Sequence, residues 1–152
     1  MTRLTAAQAR KLGILPNKRQ RTIASRVQWD AKLIPGGVWL QIPEIPPSLN
    51  VWSRWHWAKR KRYLDQLSRN IGQLALATKL PRFERATVQV LYYFRDKRLR
   101  DKDNYSGKFI LDALRYGGVI AEDNSEVLSL PEPGFEVDQG RPRVEVFIWG
   151  RD

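Results

Sequence analysis

Val88-Gln89-Val90-Leu91-Tyr92-Tyr93-Phe94 is the stretch whose reading decides the fold. Val88, Val90, Tyr92 and Phe94 repeat at a period of two, the spacing that turns one face of a strand toward a core. Upstream, Leu64, Leu67, Ile71 and Leu74 fall at the three-four spacing of one buried helix face. Pro81 sets the latest residue at which that helix ends. Further upstream, Val38, Leu40 and Ile42 alternate with Trp39 and Gln41 as a strand. Pro43, Pro46 and Pro47 break it into a rigid extended loop. Downstream, Phe109, Ile110, Ala113 and Leu114 spell a second helix, stopped by Gly117-Gly118. Val119 and Ile120 lead into an acidic turn. Short strands follow at 127–130 and 135–137, and Val144, Val146 and Ile148 make a last one. The order strand, helix, strand, helix, strands predicts an α+β fold: one mixed sheet packed by two main helices.

A chain of 152 residues, 42% hydrophobic and 28% charged, has the size and composition of one domain with an appended arm. Twenty-seven basic residues face 16 acids, for a net charge of +11. Such an excess points to a polyanionic partner, nucleic acid before an anionic membrane surface. There is no cysteine and one histidine, which excludes disulfides, thiol nucleophiles and multi-histidine metal sites. No apolar run reaches the roughly 20 residues of a membrane span. The start is polar, without a secretion signal, so the expected compartment is the cytoplasm. Residues 1–36 hold eight basic residues and one acid, Asp30. They read as a basic, partly flexible arm, with the folded domain at 37–152. Thr5 is placed to cap a short helix through Leu12, ended by Gly13. The arm binds phosphates, or it is a solubilising tail.

The stretch Arg100-Asp-Lys-Asp-Asn-Tyr-Ser-Gly-Lys-Phe-Ile-Leu-Asp-Ala-Leu114 carries the chemistry. In an extended chain Asp101 and Asp103 point the same way, and the repulsion of two like charges so close must be offset, which a divalent cation does well. Magnesium takes one or two carboxylates together with waters and ligand phosphates. A third acid follows at Glu122 or Asp123 if the Val119–Ile120 strand pairs beside the first. Lys108, at the expected helix start, sits where it steadies developing negative charge. A solvated turn, with Asn104 as a helix cap, accounts for the same letters.

Residues 100–127 resemble the RusA family of Holliday junction resolvases, a family typical of phages. The resemblance rests on Asp101-x-Asp103-Asn104, Lys108, Asp112-Ala-Leu, and a glycine-apolar turn into Glu122-Asp123. The segment Ile42-Pro43 through Pro46-Pro47-Ser48-Leu49-Asn50 is similar to the family's first strand and turn. The resemblance implies a magnesium-dependent endodeoxyribonuclease, with manganese as a substitute, that resolves four-way junctions as a homodimer by paired nicks in recombination and repair. Asp101, Asp103 and Asp123 would be the metal ligands and catalytic acids, with Lys108 assisting. No nucleotide cofactor and no membrane enter. The alternatives are a non-catalytic architectural binder of branched DNA and a nuclease for flaps, forks or RNA. Tyr105-Ser106-Gly107 makes the gap before Lys108 one residue longer than some members carry, and Glu122 stands where the family often has aspartate.

Arg54, Lys59, Arg60, Lys61, Arg62, Arg98, Arg100 and Lys102 are the expected DNA-contacting cations. Trp52, Trp55 and Trp57 lie among them, either stacking on unpaired bases or anchoring the helix start to the core. His56 is read as a packing or surface residue before a proton shuttle.

Overall fold

A computed structural model describes residues 27–121 and 128–151. Among the described residues, six strands are β1 (Asp30–Ile34), β2 (Gly37–Ile42), β3 (Ala86–Phe94), β4 (Leu128–Ser129), β5 (Gly134–Val137) and β6 (Arg143–Gly150). The described α-helices are α1 (Leu49–Arg54), α2 (Trp57–Ala77) and α3 (Lys108–Tyr116). A 3₁₀ turn occupies Lys102–Tyr105. The strands form one mixed sheet in the order β1-β2-β6-β3-β4, with β5 also on β3. β1, β2, β6 and β3 are antiparallel neighbours, whereas β4 and β5 run parallel to β3. The fold is α+β, with a single mixed sheet and helices packed on it.

Alternation in β2, β3 and β6 sends one residue in two to a common face. Val38, Leu40, Ile42, Val88, Val90, Val144, Val146 and Ile148 are almost wholly buried there. Leu67 and Ile71 of α2, and Ile110, Ala113 and Leu114 of α3, complete that core. α2 and α3 approach closely at Gly117, where an added Cβ would lie 3.0 Å from the Ile71 side chain and 3.1 Å from the Ser68 carbonyl oxygen.

The sheet starts earlier than residue 37. Asp30–Ile34 pairs along β2, and Pro35-Gly36 is the two-residue turn joining the two strands, with Gly36 at φ +75°. A Cβ on Gly37 would overlap the Ile148 carbonyl, so the second glycine is required by the neighbouring strand. The expected arm helix at 5–12 and the basic stretch at 16–26 lie outside the described residues.

Two of the helix starts are capped by side chains. Ser48 Oγ accepts the Val51 N–H at 3.3 Å to begin α1. His56 Nδ1 accepts the Ala58 N–H at 3.2 Å to begin α2, so the single histidine serves as a helix cap. Trp52 and Trp55 pack edge-on against Tyr63, and Trp52 also meets Phe109, tilted, at 4.2 Å between ring centres. Both therefore fasten α1 to the longer helices, while Trp57 is exposed.

Candidate functional site

The loop after β3 builds the site. Asp96 accepts the Arg98 N–H at 3.0 Å and an Arg100 guanidinium N–H at 2.7 Å. Arg100 also donates to the carbonyls of Asp96 and Arg98 and stacks 4.0 Å over the Phe94 ring. The Arg100 hydrogen bond holds the Asp96 carboxyl below the usual carboxylate range. This braced loop delivers Asp101 to the start of the 3₁₀ turn, where its Oδ1 accepts the Asp103 N–H at 3.0 Å. The turn is pinned from below by Tyr105, whose ring sits edge-on to Tyr92, Phe94 and Phe135. Gly107, at φ +81°, then swings the chain into α3, a left-handed conformation that favours glycine.

A second segment meets this turn from far away in sequence. Asn104 Oδ1 accepts the Asn50 backbone N–H at 2.9 Å. Leu49, Asn50, Asp101, Asp103 and Asn104 line an open cleft of about 220 Å³. The expectation of an extended Asp101-x-Asp103 is corrected here. Asp101 has extended backbone, but Asp103 lies inside the 3₁₀ turn. The two acids share a cleft because the Asp101 side chain folds back to cap the turn.

The donor set matches a small hard cation. Asp101 keeps Oδ2 free of that capping bond, and both acids are solvent-exposed. Magnesium binds through one or two carboxylates and completes its shell with water and ligand oxygens. Among the described residues no group of three or more acidic, histidine or cysteine side chains gathers. Glu122 and Asp123 lie outside the described residues. Ala121 donates its N–H to the Phe83 carbonyl oxygen at 2.9 Å, at the opposite end of β3 from Phe94.

Lys108 is the exposed first residue of α3 and does not line the cleft. Arg54 and Arg62 are exposed. Lys59 stands 4.1 Å over the Trp55 ring, and Lys61 pairs with Asp65 at 2.9 Å. Arg60 is half-buried, its Nε without a partner. Arg98 pairs with Asp96 at 3.8 Å, and Lys102 with Glu132 at 3.6 Å. Arg100 is largely buried and spent on the loop itself. Sequence reading missed the meeting of Asn50 with Asn104, which no local pattern encodes.

No known protein family and no curated protein matches the chain. Among solved structures, a periplasmic domain of Helicobacter pylori MotB is 18% identical at a TM-score of 0.42, over 82% of this chain and 83% of that one. A shorter fragment of the same domain is 19% identical at 0.38, over 80% and 87%. A MotB periplasmic domain of greater length is 16% identical at 0.42, over 100% and 91%.

These comparisons correct the resemblance to RusA resolvases, because the structures found are MotB periplasmic domains. The functional readings tied to it fall together. They are the phage-type nuclease and hydrolase activity, junction resolution in recombination and repair, the architectural binder, and the flap, fork or RNA nuclease. The branched-DNA partner and the homodimer fall with them. The cytoplasmic expectation is corrected as well, since the neighbours are periplasmic domains and a polar start does not decide a compartment. Among the described residues no helix is long and apolar enough to cross a membrane. A TM-score below 0.5 is too loose to bring a MotB function to this chain.

Proposed function

We propose that the chain is a binding domain for a phosphate-bearing ligand, held through a divalent cation at Asp101 and Asp103. The observation that carries this reading is the shared cleft, in which two exposed carboxylates open onto one space beside the Asn50–Asn104 bond. Repulsion between the two acids is relieved by a magnesium ion, with manganese as a substitute, and the ion leaves coordination positions for ligand oxygens. A net charge of +11 favours an anionic ligand over a neutral one. Exposed Lys108 and Arg54 are the cations that supplement the metal, since both stand on elements that flank the 3₁₀ turn.

Titration of the full chain with Mn²⁺, followed by NMR, tests the cation. The amide signals of Asn50, Asp101, Asp103 and Asn104 are expected to be lost first, and Asp103→Asn is expected to keep them. Calorimetry with pyrophosphate, with magnesium and with a chelator, tests the ligand. Pyrophosphate affinity that is equal in the two conditions, or Mn²⁺ broadening unaffected by Asp103→Asn, overturns the reading.

A further inference from the structure

α2 carries its apolar stripe past the end of the core. Trp57, Arg60, Leu64, Leu67 and Ile71 follow one another at the three-four spacing of a single helix face. Leu67 and Ile71 are almost wholly buried, and Leu64 packs against the core. Trp57, on the same stripe two turns before Leu64, is 66% exposed. Its neighbours Trp52 and Trp55 turn inward to Tyr63, so the outer indole is the one they leave uncovered. The His56 ring lies 5.4 Å from it between centres, and His56 is itself held by its cap on the Ala58 N–H. Arg60, next on the stripe, is half-buried, with a buried Nε that has no hydrogen-bond partner. The surroundings are strongly basic. Residues 49–77, which span α1 and α2, hold six basic residues and one acid, Asp65. Asp65 pairs with Lys61, and among the described residues Lys59, Arg60 and Arg62 make no ion pair. Val51, 44% exposed, lies one helical turn from Arg54.

We infer that this elbow between α1 and α2 docks on an anionic phospholipid surface, with Trp57 seated at the level of the headgroups. The apolar ring and the cations select that partner together. A soluble polyanion meets the cations but offers no apolar layer to the indole. A neutral apolar surface receives the indole but leaves Lys59, Arg60 and Arg62 uncompensated. A bilayer containing acidic lipids presents both in one plane, with negative headgroups outside and hydrocarbon beneath. Tryptophan favours that boundary because its ring is apolar while its N–H still finds an acceptor. Lysine and arginine favour it because their stems lie along apolar groups while their charges stay among the phosphates. The contact needs no metal, so it is independent of a cation at Asp101 and Asp103.

Co-sedimentation of the full-length chain with vesicles tests this, in chelator so that the cation site plays no part. Vesicles of phosphatidylcholine with added phosphatidylserine are expected to carry the chain down, and phosphatidylcholine alone to leave it in solution. Trp57→Ala is expected to weaken binding to the acidic vesicles about tenfold, and Trp57→Phe to restore most of it. A basic chain also adheres to acidic vesicles through charge alone, so a second measurement locates the contact. Acidic vesicles with brominated acyl chains are expected to quench the tryptophan fluorescence of the wild type. They are expected to quench Trp57→Phe much less, although it keeps five of the six tryptophans. Equal quenching of the two proteins, or no binding to acidic vesicles, overturns the proposal. Shielding of Trp57 from aqueous acrylamide by polyglutamate or a single-stranded oligonucleotide, stronger than by acidic vesicles, assigns the patch to a soluble polyanion and overturns it as well.

Discussion

Leu40 and Trp39 are neighbours in β2 that point to opposite faces of one sheet. Leu40 enters a face of aliphatic side chains from three strands and two helices and is fully excluded from solvent. Trp39 enters a face held by ring stacking and charge, where Arg143 lies 3.9 Å over Tyr93 and binds Asp138 and Glu145. The first face is held by volume, because a cavity there has no atoms to refill it. The second is held by paired polar contacts whose loss is partly met by water. One strand thus serves two stabilising regimes, and substitutions on the two faces separate them.

The largest expected effect is on the closed face. Leu40→Ala is expected to lower unfolding free energy by about 3 kcal/mol, read from the urea midpoint at unchanged slope. A loss below about 1 kcal/mol there would erase the contrast between the faces.

Next comes the ion cluster on the open face. Arg143→Ala is expected to cost about 2 kcal/mol, because it strips charged hydrogen bonds from Glu145 and Asp138. The same change alters the acid limb of stability. The Arg143 hydrogen bond holds the Asp138 carboxyl below its usual value. The stability from Asp138 is therefore complete above the ordinary aspartate value of about 3.9 and is lost as pH falls through the lowered one. Arg143→Ala should flatten that part of the pH profile, and an unaltered acid limb would place the shift elsewhere.

Trp149→Ala sharpens the contrast, being a large ring that is 36% exposed. It is expected to cost about 1 kcal/mol on thermal unfolding, well below Leu40→Ala, because that ring is partly open to solvent. Smallest of all, Asp103→Asn is expected to change stability by less than about 0.5 kcal/mol. The same substitution should abolish the Mn²⁺ response. A destabilised Asp103→Asn would make that acid a structural residue of the turn.

Much of this architecture was legible in one dimension. The alternations at 38–42, 88–94 and 144–148 mark strands, and they became β2, β3 and β6. The spacing of Leu67 and Ile71, and of Ile110 and Leu114, marks the two core helices. β1 was hidden because Asp30-Ala-Lys-Leu-Ile is an edge strand with little alternation, and Pro35-Gly36-Gly37 read as a boundary instead of a turn. α1 was hidden because it is short and none of its residues is buried. At the site, the spacing of Asp101 and Asp103 flagged a pair of acids, but it implied an extended chain where a 3₁₀ turn stands. The basic residues looked alike on paper. Their local partners set Arg100, on Asp96 and Phe94, apart from exposed Arg54.

The sequence by itself determined the strands and helices that face the core, because the period of apolar residues is a property of neighbours along the chain. It determined the charge and the absence of thiol chemistry for the same reason. Only the tertiary structure decided that Asn50 closes against Asn104 beside two carboxylates, and that Trp39, Phe147 and Trp149 share one face. Those are meetings of residues distant along the chain, set by how strands register and helices pack, and no local period records them.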